Sequence, residues 1–225
     1  AKIRKLALDN KMKNIEESIF VDTNRIAMFH HIDDLGVFRN KDSLDIISVI
    51  GKNLQMKDKK VIGRSGKFTF IGMNINYEGE RMIIDNSDYI SKLDIAPLME
   101  QYKVKPGIPD QILAPTDEEI DMELQPLYRS LNGILGYMVK VQWLYSVYFY
   151  ELSQYCTKPS IKNIKALLKV IDWIVKHPEE ILLDGVKDPK LLLYTDASFI
   201  RTTKTVRAGY VCYLVNQGTN RTKSL

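Results

Sequence analysis

Apolar residues recur along this chain with two spacings, and the change from one to the other sets out the expected elements. Between Arg25 and Phe38, bulky apolar residues (Ile26, Met28, Phe29, Ile32, Leu35, Val37) run up to Asp33-Asp34 from both sides. That pattern predicts a β-hairpin, strands 25–32 and 35–39, with the acidic pair at its tip. Residues 2–15 read as a helix before it. After it, Asp42 is placed to cap a helix carrying Leu44, Ile47, Ile50 and Leu54 on one face. Lys67–Tyr77 reads as one strand, Glu78-Gly79-Glu80 as a turn and Arg81–Ile84 as the return strand. Ser87 or Asp88 is expected to cap a short helix through Leu93.

The spacing then becomes helical. Pro126 suits a first helical turn, and Leu131, Leu135, Met138, Tyr145, Phe149 and Leu152 follow at helical intervals. Ile161, Ile164, Leu167, Leu168, Ile171, Ile174 and Val175 trace a second stripe, with Lys162, Lys165, Lys169 and Lys176 off it and His177-Pro178 at its end. Leu191–Thr195 is again a strand, running into Asp196-Ala197-Ser198, and Ala208–Val215 is expected to pair with it antiparallel. Two or three strands need cover to be stable, so this end reads as a domain cut short. None of the eight prolines lies in residues 1–96, and five lie from Pro97 to Pro126, which predicts a long loop between the first two blocks. The fold class expected is α+β.

Composition narrows the field modestly. The 225 residues allow one large or two small domains, and 45% hydrophobic content supports an ordinary core. Lys and Arg exceed Asp and Glu by 32 to 28, which permits a nucleic-acid partner without requiring one. Cys156 and Cys212 are far apart and form no metal-ligand spacing, so a reduced, intracellular compartment is the default. No stretch reads as a signal or transit peptide or as long enough to span a bilayer, so no membrane partner is expected. An Ala at the first position suggests a processed product, a trimmed chain or a piece of a longer one.

The acidic pair is the first candidate for chemistry. Asp33 and Asp34 on a tight turn can present hard oxygen ligands to Mg²⁺, which takes few protein carboxylates and fills its shell with water and phosphate. Asp-Asp is also ordinary turn chemistry. The flanking apolar strands favour the metal, because strands buried up to their tip make an acidic pair costly without a partner. His30 and His31 point to opposite faces of a strand, with His31 on the face of Asp33; a packed or solvent-tipped histidine is the plainer reading. Asp196 is either a metal ligand or a turn residue. Lys162, Lys165 and Lys169 form a helix face that is either solvated or set against phosphates. Phosphate-loop, nucleophile-elbow and zinc spacings are absent from the sequence.

Read in order, these segments resemble the polyproteins of copia-type LTR retrotransposons. His31-Ile32-Asp33-Asp34 is similar to the tyrosine-x-Asp-Asp box of reverse transcriptases. Met56-Lys57-Asp58 matches the family's "MKD", and Phe70-Ile71-Gly72-Met73-Asn74-Ile75 its "FLGMEI". Asp88-Tyr89-Ile90 with Leu93 matches "YI..LL", and Lys105-Pro106-Gly107-Ile108-Pro109 matches "KPV.TP". The run from Tyr128-Arg129-Ser130-Leu131 to Gly136-Tyr137 is close to "YRSLIGSLLYL". Tyr194-Thr195-Asp196-Ala197-Ser198, with Gly209-Tyr210 after it, resembles the opening of the tethered RNase H.

The resemblance implies a partial reverse-transcriptase palm over residues 1–84, a mainly helical thumb and connection over 85–185, and the first strands of a truncated RNase H-like domain over 190–225. It implies RNA-directed DNA polymerase and ribonuclease H chemistry with Mg²⁺ on Asp33, Asp34 and Asp196, and an RNA/DNA template-primer as partner. The rest of the polyprotein, or another protein, would cover exposed edges. A cytoplasmic retroelement particle or the nucleus would be the location. Departures accompany the match. His31 replaces the box tyrosine, and Gln142-Trp143-Leu144-Tyr145 replaces "RPDI", losing Arg and Asp. The first palm carboxylate and the later RNase H carboxylates have no counterpart, so each site is expected to be vestigial. A domesticated, non-catalytic nucleic-acid- or protein-binding module is the alternative, and an unrelated two-domain α+β protein is a third.

Overall fold

Antiparallel ladders and a helical cluster account for the computed structural model, which describes residues 2–22, 27–31, 34–38, 46–54, 63, 65–109, 120–185, 189–200, 205–216 and 222–224. The mixed α+β class holds. The chain divides into two units, Ala1–Gly63 and Arg64–Leu225, so the strands of residues 65–85 fall with the helices rather than with the first sheet.

In the first unit, α1 (Lys2–Asp9) is followed by β1 (Lys13–Glu16), β2 (Ile19–Val21), β3 (Ala27–His31), β4 (Asp34–Phe38) and α2 (Ile46–Gly51). The strands form a meander in sequence order. The helix expected over 2–15 stops at Asp9 because Lys11 takes a left-handed φ of 63° and Asn10 Nδ2 turns back to the Leu6 carbonyl at 2.8 Å. Residues 13–16 pair with β2 instead. Phe20 lies opposite Met28, and Met28 opposite Val37; Phe20 and Met28 are fully buried with Ala7 and Ile50. Ile3, Leu35, Val37, Val49 and Leu54 pack against that core. The expected cap Asp42, with Leu44, lies outside the described residues.

In the second unit, β5 (Ser65–Phe70), β6 (Met73–Glu78), β7 (Arg81–Asp85) and β8 (Ile181–Asp184) form one antiparallel sheet in that order. The single strand expected over 67–77 is two strands. Ile71 and Gly72 take φ values of 52° and 72°, the doubly left-handed turn that suits the twist of a two-residue hairpin. A β-branched residue rarely adopts that conformation. Here Tyr137 Oη donates to the Ile71 carbonyl at 2.8 Å and holds it. Gly79, with φ 67°, makes the expected second turn. β8 was not anticipated; it pairs with β7, and Arg81 Nε meets Asp184 Oδ1 at 2.8 Å.

The helices are α3 (Ser87–Ile90), α4 (Ala96–Gln101), α5 (Gln125–Met138), α6 (Ser146–Ser153) and α7 (Ile161–Lys176). The N-cap position of α3 is Asn86, not Ser87 or Asp88; Asp85 Oδ1 accepts from the Ser87 N–H at 2.8 Å. The apolar stripe from Leu131 to Leu152 is shared between α5 and α6, with a break at Val139–Gln142. Pro126 sits in the first turn of α5. α7 begins with a reciprocal cap: Ser160 Oγ accepts from the Asn163 N–H at 3.3 Å, and Asn163 Oδ1 accepts from the Ser160 N–H at 2.9 Å. Of its expected stripe, Ile164, Leu167, Leu168, Ile171 and Ile174 are fully buried, with Tyr128, Leu135, Met138 and Leu152 in the same cluster, while Val175 is half-buried and Ile161, in the first turn, is exposed. Its C-cap is His177.

The last sheet contains β9 (Pro189–Ile200), β10 (Thr205–Asn216) and β11 (Thr222–Ser224), ordered β11-β10-β9. β9 and β10 pair antiparallel along their whole length, as the pattern from Leu191 and Ala208 predicts.

Candidate functional site

The hairpin expected to hold the acidic pair is present as β3 and β4, with His31 opposite Asp34. Asp34 opens the return strand rather than sitting in the connection, and Ile32 and Asp33 lie outside the described residues. Gly36 lies opposite Phe29 and leaves room for its ring: a Cβ there would come within 2.0 Å of Phe29 Cζ. The ring then packs against Phe38 at 5.5 Å between centroids. His30 stacks on Phe20 at 6.1 Å, which assigns it to packing, while His31 is exposed.

Asp196 does not end its strand. It is exposed in the middle of β9, opposite Gly209, because β10 continues the ladder through Ile200. Asp34 belongs to the first unit, and Asp196 and the α7 lysines to the second. Among the described residues, no group of three or more His, Cys, Asp or Glu gathers as a metal site.

Lys162, Lys165, Lys169 and Lys176 recur three, seven and fourteen positions along α7, so they form one stripe about 21 Å long. Lys162 and Lys165 are exposed and Lys169 is half-buried. Lys176 Nζ pairs with the buried Asp172 at 2.8 Å. At its Lys176 end the stripe meets an open cleft of about 420 Å³ whose lining includes Met99, Glu100, Lys103, Lys105, Asp172 and Lys176. Lys169 reaches toward the loop after α4, where a Cβ on Gly107 would lie 3.9 Å from Lys169 Cε. The sequence reading missed Lys103 and Lys105; their position flanking Val104 just after α4 was the available sign.

It also missed a buried polar junction around Gln142. Asn86 is 0% and Gln142 1% exposed. Gln142 Nε2 donates to Asn86 Oδ1 at 3.2 Å and to the Glu179 carbonyl at 2.8 Å, and Gln142 Oε1 accepts from the Glu179 N–H at 2.8 Å. Asn86 Nδ2 donates to the Met138 carbonyl at 3.1 Å. These two neutral amides tie α3, the end of α5 and the approach to β8 together.

Two environments nearby shift ionisable groups. Burial alone would raise the Asp85 carboxyl, but the Ser87 hydroxyl and N–H, the Asn74 amide and the Lys67 charge outweigh it and hold it below the usual value. Burial raises the Cys156 thiol, against the lowering influence of Arg129, which leaves it a poor nucleophile at neutral pH. Among the described residues, no helix is long and apolar enough to cross a membrane.

No protein-family model, curated protein or solved structure matches this chain.

Proposed function

We propose that this chain is a piece of a copia-type LTR retrotransposon polyprotein, descended from an RNA-directed DNA polymerase with a tethered RNase H, and that by itself it carries out neither reaction. The observation that carries the reading is the collinear order of the matched segments, from His31-Ile32-Asp33-Asp34 to Tyr194-Thr195-Asp196-Ala197-Ser198. A hairpin whose return strand opens at Asp34, opposite His31, supports it. Mg²⁺ would be held by Asp33 and Asp34 in the polymerase portion and by Asp196 in the RNase H portion. Two-metal phosphoryl transfer needs further carboxylates at each centre, and the matched segments supply none.

The test is primer extension on an RNA template with Mg²⁺, using the full chain and its Asp33→Asn variant. No extension by either is expected. Template-dependent synthesis that Asp33→Asn abolishes overturns the inactivity and upholds the ancestry.

A second reading, a non-catalytic module that binds nucleic acid, is favoured by one feature: the Lys162–Lys176 stripe runs into the cleft flanked by Lys103 and Lys105. Filter binding over a salt series separates the two. Affinity for single-stranded RNA that falls steeply with salt, and falls further in Lys162→Ala/Lys165→Ala/Lys169→Ala, supports the module; salt-independent or absent binding rejects it.

A further inference from the structure

We propose that β9 is an edge through which two copies of this chain pair, antiparallel, about a two-fold axis at Leu193. The inference rests on no part of the polymerase reading. β9 is the outer strand of its sheet: among the described residues, β10 is its hydrogen-bonded neighbour on one side and none lies on the other. Residues 190–197 are all exposed, so both faces are open, with Leu191 65%, Leu193 55% and Tyr194 57% accessible. A long apolar strand with an open edge is a template for another strand.

What selects an identical strand is charge. Lys190 and Asp196 are the ionisable residues of β9 apart from its tyrosine, and they lie three positions either side of Leu193. With Leu193 opposite Leu193 of a second copy, Lys190 falls opposite Asp196 of that copy, and the same contact repeats by symmetry. Residues directly opposite share a face with Cβ atoms about 5 Å apart. The same register sets Leu192 opposite Tyr194 and Leu191 opposite Thr195. Parallel in-register pairing sets Lys190 against Lys190 and Asp196 against Asp196, and a shift of two residues separates both ion pairs. A strand apolar on both faces specifies its register poorly through burial, so the two charges fix it. β10 already occupies the other side of β9, and the pairing therefore closes as a dimer.

Within one copy Lys190 and Asp196 are about 20 Å apart along the strand, so any coupling between them reports the second copy. The full chain in light-scattering chromatography is expected at twice its 25.9 kDa mass. Lys190→Asp and Asp196→Lys each put like charges at both crossings and should weaken the dimer about tenfold or more. The double exchange, Lys190→Asp/Asp196→Lys, should restore it. Cysteine cross-linking gives an independent readout in a Cys156→Ala/Cys212→Ala background, because Cys212 is opposite Leu193 and would capture a new thiol there. Leu193→Cys is expected to form a disulfide-linked dimer. Leu191→Cys is not, its two copies lying about 14 Å apart in this register. A chain that stays monomeric at its highest soluble concentration, a double exchange as weak as either single one, or equal cross-linking at both positions overturns the proposal.

Discussion

Replacing Gln142 with Leu removes three hydrogen bonds from the junction of α3, α5 and β8 while keeping a side chain of similar bulk. The groups it strands differ in kind. Asn86 Oδ1 belongs to a fully buried residue and loses the amide that satisfies it, at about 1–3 kcal/mol. The N–H and carbonyl of Glu179 belong to an exposed residue, where water can replace the partner, so each loss is worth about 0.5–1 kcal/mol. Added apolar burial offsets part of this, leaving a net destabilisation of about 2–4 kcal/mol. Both tryptophans, Trp143 and Trp173, lie in the second unit, so urea unfolding followed by their fluorescence reads that unit without interference from the first. The midpoint should fall with an unchanged slope. Asn86→Leu/Gln142→Leu should cost less than the sum of its single changes by about 1 kcal/mol or more, because removing both partners leaves fewer stranded groups than removing one. A loss below about 1 kcal/mol for Gln142→Leu, or strict additivity of the pair, refutes the network as a stabilising element.

Gly36→Val should drive the Phe29 ring off its seat and cost the first unit about 1–3 kcal/mol, seen as faster amide exchange across residues 27–31 and 34–38; unchanged exchange would show that the ring moves freely. Gly72→Ala meets both a φ of 72° and Tyr137 Oη at 2.3 Å, and should cost about 1–3 kcal/mol in urea unfolding, against about 1 kcal/mol for Tyr137→Phe, which loses only the bond to Ile71. Asp85 is held below its ordinary value, so its contribution is fully present above the unfolded carboxylate value of about 4 and is lost as pH falls through the lower folded value. Asp85→Asn should therefore lower stability at neutral pH and flatten the decline in urea midpoint below about pH 4, and an acid limb that keeps its slope contradicts the assignment.

Legibility followed the range of the interactions involved. α7 was readable because its stripe and terminating His177-Pro178 are local, although its cap at Ser160 went unread. The turn at Gly79 was readable for the same reason. Ile71 concealed the other hairpin turn: Ile71, Met73, Ile75 and Tyr77 alternate as though one strand ran through them, and the clamp on Ile71 comes from Tyr137, far along the chain. The stripe across α5 and α6 also hid its break, since helical spacing persists from Met138 to Tyr145 while the backbone does not. β8 is too short to announce itself and exists because β7 has an edge to fill. The Gln142–Asn86 junction joins residues 56 positions apart, and nothing local marks either as buried. Of the candidate site, the hairpin and the lysine stripe were legible from periodicity, while the cleft that Lys103 and Lys105 flank depends on how α4 meets α7.

Asp196 carries two demands that one chain can separate. As a metal ligand it must keep its carboxylate at that position; as an edge residue it needs only a charge opposite to that at position 190. Asp196→Asn removes both properties and distinguishes nothing. The exchange Lys190→Asp/Asp196→Lys is different in kind: it leaves a lysine where a metal would need a carboxylate, yet preserves every cross-strand attraction of the antiparallel dimer. A dimer restored by the exchange therefore assigns the position to pairing whatever the ancestry of the strand. Loss of dimerisation in the exchange, alongside Mg²⁺ binding that only Asp196 at its original position sustains, assigns it to the metal. The exposure of Asp196 in mid-strand, rather than at the strand end its Ala-Ser neighbours suggested, makes this comparison possible, because a side chain on an open ladder can be exchanged without disturbing a core.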